Sequence, residues 1–147
     1  MCAFRLANPL LAITLGFAFL GCGRKGDPIP RPRVAAQPMP AELQGLRTVR
    51  LIMPTADVSG EQLAGIEFVR VIYLPLGLSM PTPDEVLSRG EVVLERRRPD
   101  LPGPGETLIM DLKSLRRPQG WIVITAVRLG NVPGRPSDVL PWMDPAL

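Results

Sequence analysis

Few side chains in this 147-residue sequence could carry out chemistry. It contains no histidine, which removes the usual general base, the Ser-His-Asp arrangement and every histidine-based metal site. Two pairs of carboxylates, Asp84 with Glu85 and Glu91 with Glu95, are spaced like surface charges, and no neighbouring group would shift their pKa values. No glycine-rich phosphate loop or calcium loop is present. We therefore expect no catalysis, no metal site and no cofactor.

Cys22 is the residue whose surroundings suggest a reaction, because an apolar run precedes it and a basic, proline-rich stretch follows it. The segment Phe19-Leu20-Gly21-Cys22 resembles the lipobox of bacterial lipoprotein precursors, in which a small residue stands directly before the modified cysteine. That family prefers Leu where this chain has Phe19, and a smaller residue where it has Leu20. The resemblance implies cleavage after Gly21 and a lipid on the Cys22 sulfur, with acyl chains such as palmitate.

Residues 1–21 have the layout of a secretory signal peptide. Arg5 precedes an apolar run at residues 10–20, which is the length typical of such signals but short of the roughly 20 residues that span a bilayer. The alternative is an uncleaved anchor without lipid. Cys2 lies in this leader, so the mature chain would contain neither a free thiol nor a disulfide once Cys22 is acylated.

A proline-rich linker is predicted for residues 22–40, which begin with the modified cysteine. Its five prolines forbid a helix and favour an extended polyproline II conformation. At about 3.1 Å per residue, the linker would hold a domain up to roughly 55 Å from the bilayer. Its basic residues could meet lipid phosphates or simply keep the linker solvated.

The residues after the cysteine carry a second resemblance. Cys22-Gly23-x-Lys25-Gly26 is similar to the mature start of small proteobacterial outer-membrane lipoproteins of the LptM type, which are associated with the lipopolysaccharide-transport translocon. By analogy with lipoproteins, Gly23 in place of Asp implies sorting to the outer membrane. The resemblance thus implies a lipid-anchored protein of the outer membrane whose domain faces the periplasm, or the cell surface.

Residues 41–147 alternate short apolar runs, rich in β-branched residues, with Pro and Gly clusters, and this pattern predicts a β domain. The runs at 66–74 and 121–129 are apolar on both faces and belong in the centre of a sheet. At most one helical turn is expected, at 84–88. The predicted strands are 48–53, 66–74, 90–97, 107–112, 121–129 and 137–140.

Residues 120–139 resemble the last two strands of a fibronectin type III domain. In that family the penultimate strand is an apolar run ending in Ala-Val, here Ala126 and Val127, and a serine, here Ser137, opens the last strand. Residues 48–54 and 65–70 look like its second and third strands. The resemblance implies an all-β, antiparallel β-sandwich of the fibronectin type III or immunoglobulin-like class.

Two departures from that family concern its aromatic residues. Met53 stands where a core Trp is usual, and Gly120 beside Trp121 stands where a corner Tyr is usual. A shift of one residue moves a side chain to the opposite face of a strand, so the register of the 121–129 strand stays open. Trp121 and Trp142 are interpreted as core or rim packing, with binding anchors as the alternative.

The remaining charges give few indications of function. Arg96, Arg97 and Arg98 are interpreted as protection of an edge strand, and a patch for an anionic surface is the alternative. A net charge of +3 is too small to indicate nucleic acid binding. We expect a non-catalytic binding or scaffold module whose partner is an envelope protein. The alternatives are an accessory factor of an outer-membrane assembly machine, acting through its lipidated N-terminus, and a carbohydrate-binding sandwich.

Overall fold

The computed structural model describes residues 34–63 and 65–144. The predicted signal peptide, the lipidation site and most of the predicted linker lie outside these residues, including Phe19, Leu20, Gly21, Cys22, Gly23, Lys25 and Gly26. Among the described residues, no helix has the length and apolar character needed to cross a membrane. The elements are β1 (Ala41–Gln44), β2 (Thr48–Ile52), β3 (Ile66–Pro75), α1 (Pro83–Arg89), β4 (Glu91–Arg97), β5 (Thr107–Asp111), β6 (Gly120–Arg128), β7 (Val132–Pro133) and β8 (Leu140–Trp142).

The strands form two antiparallel sheets that pack face to face. One sheet has the order β1-β2-β5, and the other has the order β4-β3-β6, with β7 and β8 both pairing with the far side of β6. Immunoglobulin-like sandwiches likewise place their first, second and fifth strands in one sheet. The predicted fold class, an antiparallel β-sandwich, is confirmed. β2 and β3 are also the second and third strands, as the resemblance implies.

The core lies between the two sheets because successive side chains of a strand point to opposite faces. Val49 and Leu51 of β2 meet inward side chains of β3 and β6 there. Met53, which stands in place of the usual core Trp, is buried. Trp142 supplies the buried indole instead, and its Nε1–H donates to the carbonyl oxygen of Arg117 at 3.1 Å. The packing interpretation is therefore correct for Trp142.

The outer face of β3 and β6 carries apolar side chains, and α1 covers them. Val86 of α1 packs against Ile72 and Val123. The helix begins with a capping box in which Thr82 Oγ1 accepts the Glu85 N–H at 3.3 Å and the Glu85 carboxylate accepts the Thr82 N–H at 2.7 Å. These bonds from Thr82 hold the pKa of Glu85 below its usual value. The expectation of at most one turn at 84–88 was wrong, since the cap and the packing stabilise seven residues.

Residues 34–40, which we call the leading segment, belong to the sandwich and not to a linker. Ala36 and Met39 are buried in the core at 0% and 1% exposure. Ala36 forms a β-bridge with Asp57, and its carbonyl oxygen accepts the Arg135 N–H at 2.9 Å. The predicted linker was therefore too long at its C-terminal end, and the predicted domain start at residue 41 was too late.

The carboxylate of Asp57 organises the loop that holds the leading segment. It accepts the Ser59 hydroxyl, the Ser59 N–H at 2.9 Å and the Glu61 N–H at 3.1 Å. The pKa of Asp57 lies below its usual value. The bond from the Ser59 hydroxyl contributes most to this shift, and these N–H groups and the Arg128 guanidinium contribute less. The ionised side chain thus fixes the loop to which the leading segment is bonded.

The last strand differs from the prediction at 137–140. Its ladder with β6 is interrupted between β7 and β8. There the Ser137 N–H donates to the Ile124 carbonyl oxygen at 2.9 Å, and Ser137 Oγ accepts the Ile124 N–H at 3.0 Å. A side-chain oxygen replaces a backbone acceptor at this point, so the chain leaves the ladder. The sequence analysis also missed β1, which is only four residues long.

Candidate functional site

One end of the sandwich carries a cluster of exposed apolar side chains. It is the end where β1 turns into β2 and where β3 leads to α1. We call this surface the apolar pole, and each of its members is more than half exposed: Leu46, Leu76, Leu78 and Met143. Large exposed apolar patches on soluble domains usually mark an interaction site.

Two clefts lie at the apolar pole, and Leu76 and Trp121 line both of them. The first has a volume of about 410 Å³ and lies between the β3–α1 loop and the helix, with Glu85 and Arg89 in its wall. The second has a volume of about 260 Å³ and is bordered by Leu43. Its ten lining residues include no charged side chain. The pole thus offers one recess without charged lining residues and a second recess whose wall includes Glu85 and Arg89.

Trp121 reaches this site because of the register of β6. It pairs with Leu74 of β3 and with Pro141 of β8, and its side chain lies on the outer face beside Leu87 and Val139. The sequence left open on which face of β6 Trp121 lies, and this register places it on the outer face. Trp121 is half-buried, so it combines rim packing with a place in the wall of both clefts.

Gly120 stands where the resemblance to fibronectin type III domains would place a corner tyrosine, and a tyrosine from β3 packs against it instead. The ring of Tyr73, which comes from β3, lies over Gly120, and the Tyr73 hydroxyl donates to the Pro118 carbonyl oxygen at 3.2 Å. Burial raises the pKa of Tyr73, which keeps the phenol protonated as a donor. A tyrosine of a different strand therefore fixes the turn before β6, and glycine is needed where the ring rests.

The Gly120→Ala variant should be destabilised by about 1–3 kcal/mol, as overpacked core sites are. A Cβ at this position would lie 2.5 Å from Tyr73 Cε2 and would also clash with the Leu74 carbonyl oxygen. The urea unfolding midpoint measures the effect. Gly77→Ala is the matched control, because a Cβ there meets no atom within 4 Å, and we expect a change within about ±0.5 kcal/mol. Equal effects at both glycines would contradict the proposed contact.

Several charged residues around the apolar pole form ion pairs with one another. The Asp144 carboxylate, 1% exposed, is within 2.9 Å of Arg47 and 3.8 Å of Arg116. An apolar centre with a polar rim is typical of surfaces that bind proteins. Three ion pairs make up most of this rim: Arg47–Asp144, Lys113–Asp111 at 3.1 Å and Arg117–Glu91 at 2.5 Å.

The carboxylates that the sequence singled out do not come together in a site. Glu85 caps α1 and Glu91 pairs with Arg117. Glu95 bonds to Arg70 at 2.8 Å and to Arg97, and chiefly the bond from Arg70 holds its pKa below the usual value. Within residues 34–63 and 65–144, no group of three or more His, Cys, Asp or Glu side chains could hold a metal ion.

Arg96 and Arg97 lie on an edge strand, as predicted, since in the described part of the chain β4 pairs only with β3. Arg97 lies 5.5 Å from the centre of the Phe68 ring, and Arg70 lies 4.3 Å from it on the neighbouring strand. Arg97 is also paired with Glu95. These contacts make this surface one of mixed sign and support the edge-strand interpretation.

No family model, no curated protein and no solved structure matches this chain. The apolar pole as a whole could not be predicted from the sequence, because its members come from two separate loops and from the residue that follows β8. One signal was available: Leu76, Leu78 and Met80 alternate like strand residues in a stretch bounded by Pro75 and Pro81. Prolines exclude a regular strand there, so these apolar side chains could be expected to lie outside the sheets and to be exposed.

Proposed function

We propose that this protein is a lipid-anchored protein of the outer membrane whose sandwich binds an envelope protein, without turnover, through the apolar pole. The observation that carries the proposal is the uncharged apolar centre of that pole, with Leu46, Leu76 and Met143 exposed around a cleft of about 260 Å³. The lipid on Cys22 would keep the domain close to the membrane, where envelope partners are concentrated.

The charges of the pole support a protein partner in preference to a lipid surface. An anionic bilayer attracts clusters of unpaired Lys and Arg side chains. At the apolar pole, Arg47, Lys113 and Arg117 are each paired with a carboxylate of the same domain. A protein surface that brings apolar groups and a polar rim fits this arrangement better.

The aromatic side chains disfavour a carbohydrate ligand. Sugar-binding sandwiches need exposed aromatic rings on which a sugar face can lie. In the described part of the chain, Phe68, Tyr73 and Trp142 are buried and Trp121 is half-buried. The surface offers aliphatic groups and methionines, which suit an apolar protein segment.

A double substitution at the pole, Leu76→Asp with Leu78→Asp, should reduce crosslinking to the partner at least tenfold in intact cells. Carboxylates in an apolar interface lose their hydration without gaining a partner. Quantitative mass spectrometry of the crosslinked, captured protein measures the loss. Leu76 and Leu78 are 51% and 111% exposed, so the variant should keep the wild-type unfolding midpoint.

Ile109→Asp is the matched control, because Ile109 is an aliphatic side chain, 58% exposed, on the outer face of the other sheet. It should keep the full crosslinking yield. The proposal is wrong if both variants retain the same partner, or if the wild-type protein captures only lipid and general porins.

A further inference from the structure

The free edge of β1 runs to the apolar pole. Among the residues that the structure describes, β1 pairs only with β2, and the Ile52 N–H donates to the Pro40 carbonyl oxygen at 3.1 Å. In an antiparallel ladder, hydrogen-bonded and non-hydrogen-bonded residues alternate. Counted from Pro40, the backbone groups of Ala41 and Leu43 therefore point away from β2. The edge offers N–H donors and C=O acceptors in the spacing of an extended chain.

A recess lies beside each of these two residues. Leu43 borders the uncharged cleft of about 260 Å³ at the apolar pole. Ala41 borders a second recess of about 180 Å³, whose lining also includes the charged side chains of Glu42 and Arg50. The two residues are two positions apart, which is the interval at which side chains repeat on one face of a strand. Strand addition uses backbone bonds for affinity and such recesses for specificity.

Two other sheet edges are less suited to pairing than β1. The β4 edge carries Arg96 and Arg97 and has a register irregularity opposite Val71 and Ile72, two features that discourage strand addition. The β8 edge has Pro141 in its centre, and proline has no N–H to donate. Unlike these edges, β1 contains no proline and no arginine, and its Leu43 side chain borders the cleft at the apolar pole.

We infer that the partner binds by adding an extended, uncharged segment to the β1 edge, with an apolar side chain in the cleft at Leu43. The inference rests on the proposed function and specifies the form of the partner. The segment is uncharged where it enters the cleft, because the cleft has no charged lining residue. It is extended because a helix uses its own backbone groups internally and has none for Ala41 and Leu43.

The test places a photoreactive benzoylphenylalanine at Glu42 or at Gln44, both exposed on β1, in the full chain in intact cells. Mass spectrometry then maps the crosslinked residues of the partner. An added strand predicts that the two positions capture one uncharged segment at sites offset by two residues. Crosslinks to a second copy of this chain, or to scattered sites, would overturn the inference.

A second arm removes an outward N–H group. Leu43→Pro leaves the β1–β2 hydrogen bonds in place, since its N–H points away from β2, and should lower the crosslinking yield about tenfold. Ile109→Pro is the control, because its N–H likewise points outward from the β5 edge, and the yield should stay unchanged. If Leu43→Pro lowers the unfolding midpoint, Ala41→Pro replaces it, because it removes the other N–H group that points away from β2.

The two arms separate the inference from the proposed function. Crosslinking that is lost in the Leu76→Asp, Leu78→Asp variant but retained in Leu43→Pro and Ala41→Pro overturns strand addition and leaves the apolar pole as the binding surface. Crosslinking that survives all of these substitutions overturns both.

Discussion

The Ile124→Asp variant should not fold. Ile124 is completely buried in β6, between the two sheets and opposite Val71 of β3. An aspartate there would place a carboxylate among apolar side chains, at a cost of several kcal/mol. The whole stability of such a domain is about 5–15 kcal/mol. Circular dichroism and the denaturant midpoint of the purified protein measure the effect.

Ile109→Asp again provides the comparison, because it makes the same chemical change at a side chain that is 58% exposed. Its unfolding free energy should change by about 0.5 kcal/mol or less. Equal tolerance of aspartate at both positions would show that β6 does not lie in the core.

Substitution of Cys22 by alanine should remove almost all of the protein from the membrane fraction, or leave it as an uncleaved precursor. Each buried CH₂ of a lipid chain contributes about 0.8 kcal/mol to membrane binding, so two or more acyl chains give stable anchoring. No other cysteine would remain in the mature chain to take the lipid. Fractionation of cells and mass spectrometry of the mature protein measure the outcome.

Cys2→Ala is the matched control for this experiment, since Cys2 lies in the predicted signal peptide. It should leave the distribution and the mature mass unchanged. A wild-type protein whose mature mass includes no lipid would rule out acylation. Density fractionation of the membranes tests the expected outer-membrane location, which rests on Gly23.

The sequence predicts the sandwich well where burial dictates the pattern. The strands at 66–74 and 121–129 were expected in the centre of a sheet because both of their faces are apolar, and β3 and β6 do occupy that position. The helix that covers their outer face was underestimated. The capping box of Thr82 and Glu85 can be read from the sequence. The packing of Val86 against the sheet, which stabilises so short a helix, cannot.

The start of the domain was misplaced for a related reason. Pro38 and Pro40 favour an extended linker, but proline is equally compatible with an extended segment at the edge of a sheet. Burial of Ala36 and Met39 decides between the two, and burial depends on contacts with distant residues such as Arg135. The apolar pole was missed because no local pattern shows which loops meet at one end of a sandwich.

The hydrogen bonds of the leading segment determine how the domain would respond to mechanical tension. Val34 accepts a hydrogen bond from Arg128, and the Gln37 N–H donates to the Ala56 carbonyl oxygen at 3.1 Å. These bonds lie at the end of the strands opposite the apolar pole. A membrane anchor and a partner bound at the pole would therefore pull on opposite ends of the strands. In that shear geometry the bonds of a ladder must break together, so the sandwich should resist force better than it would if its strands were peeled apart singly.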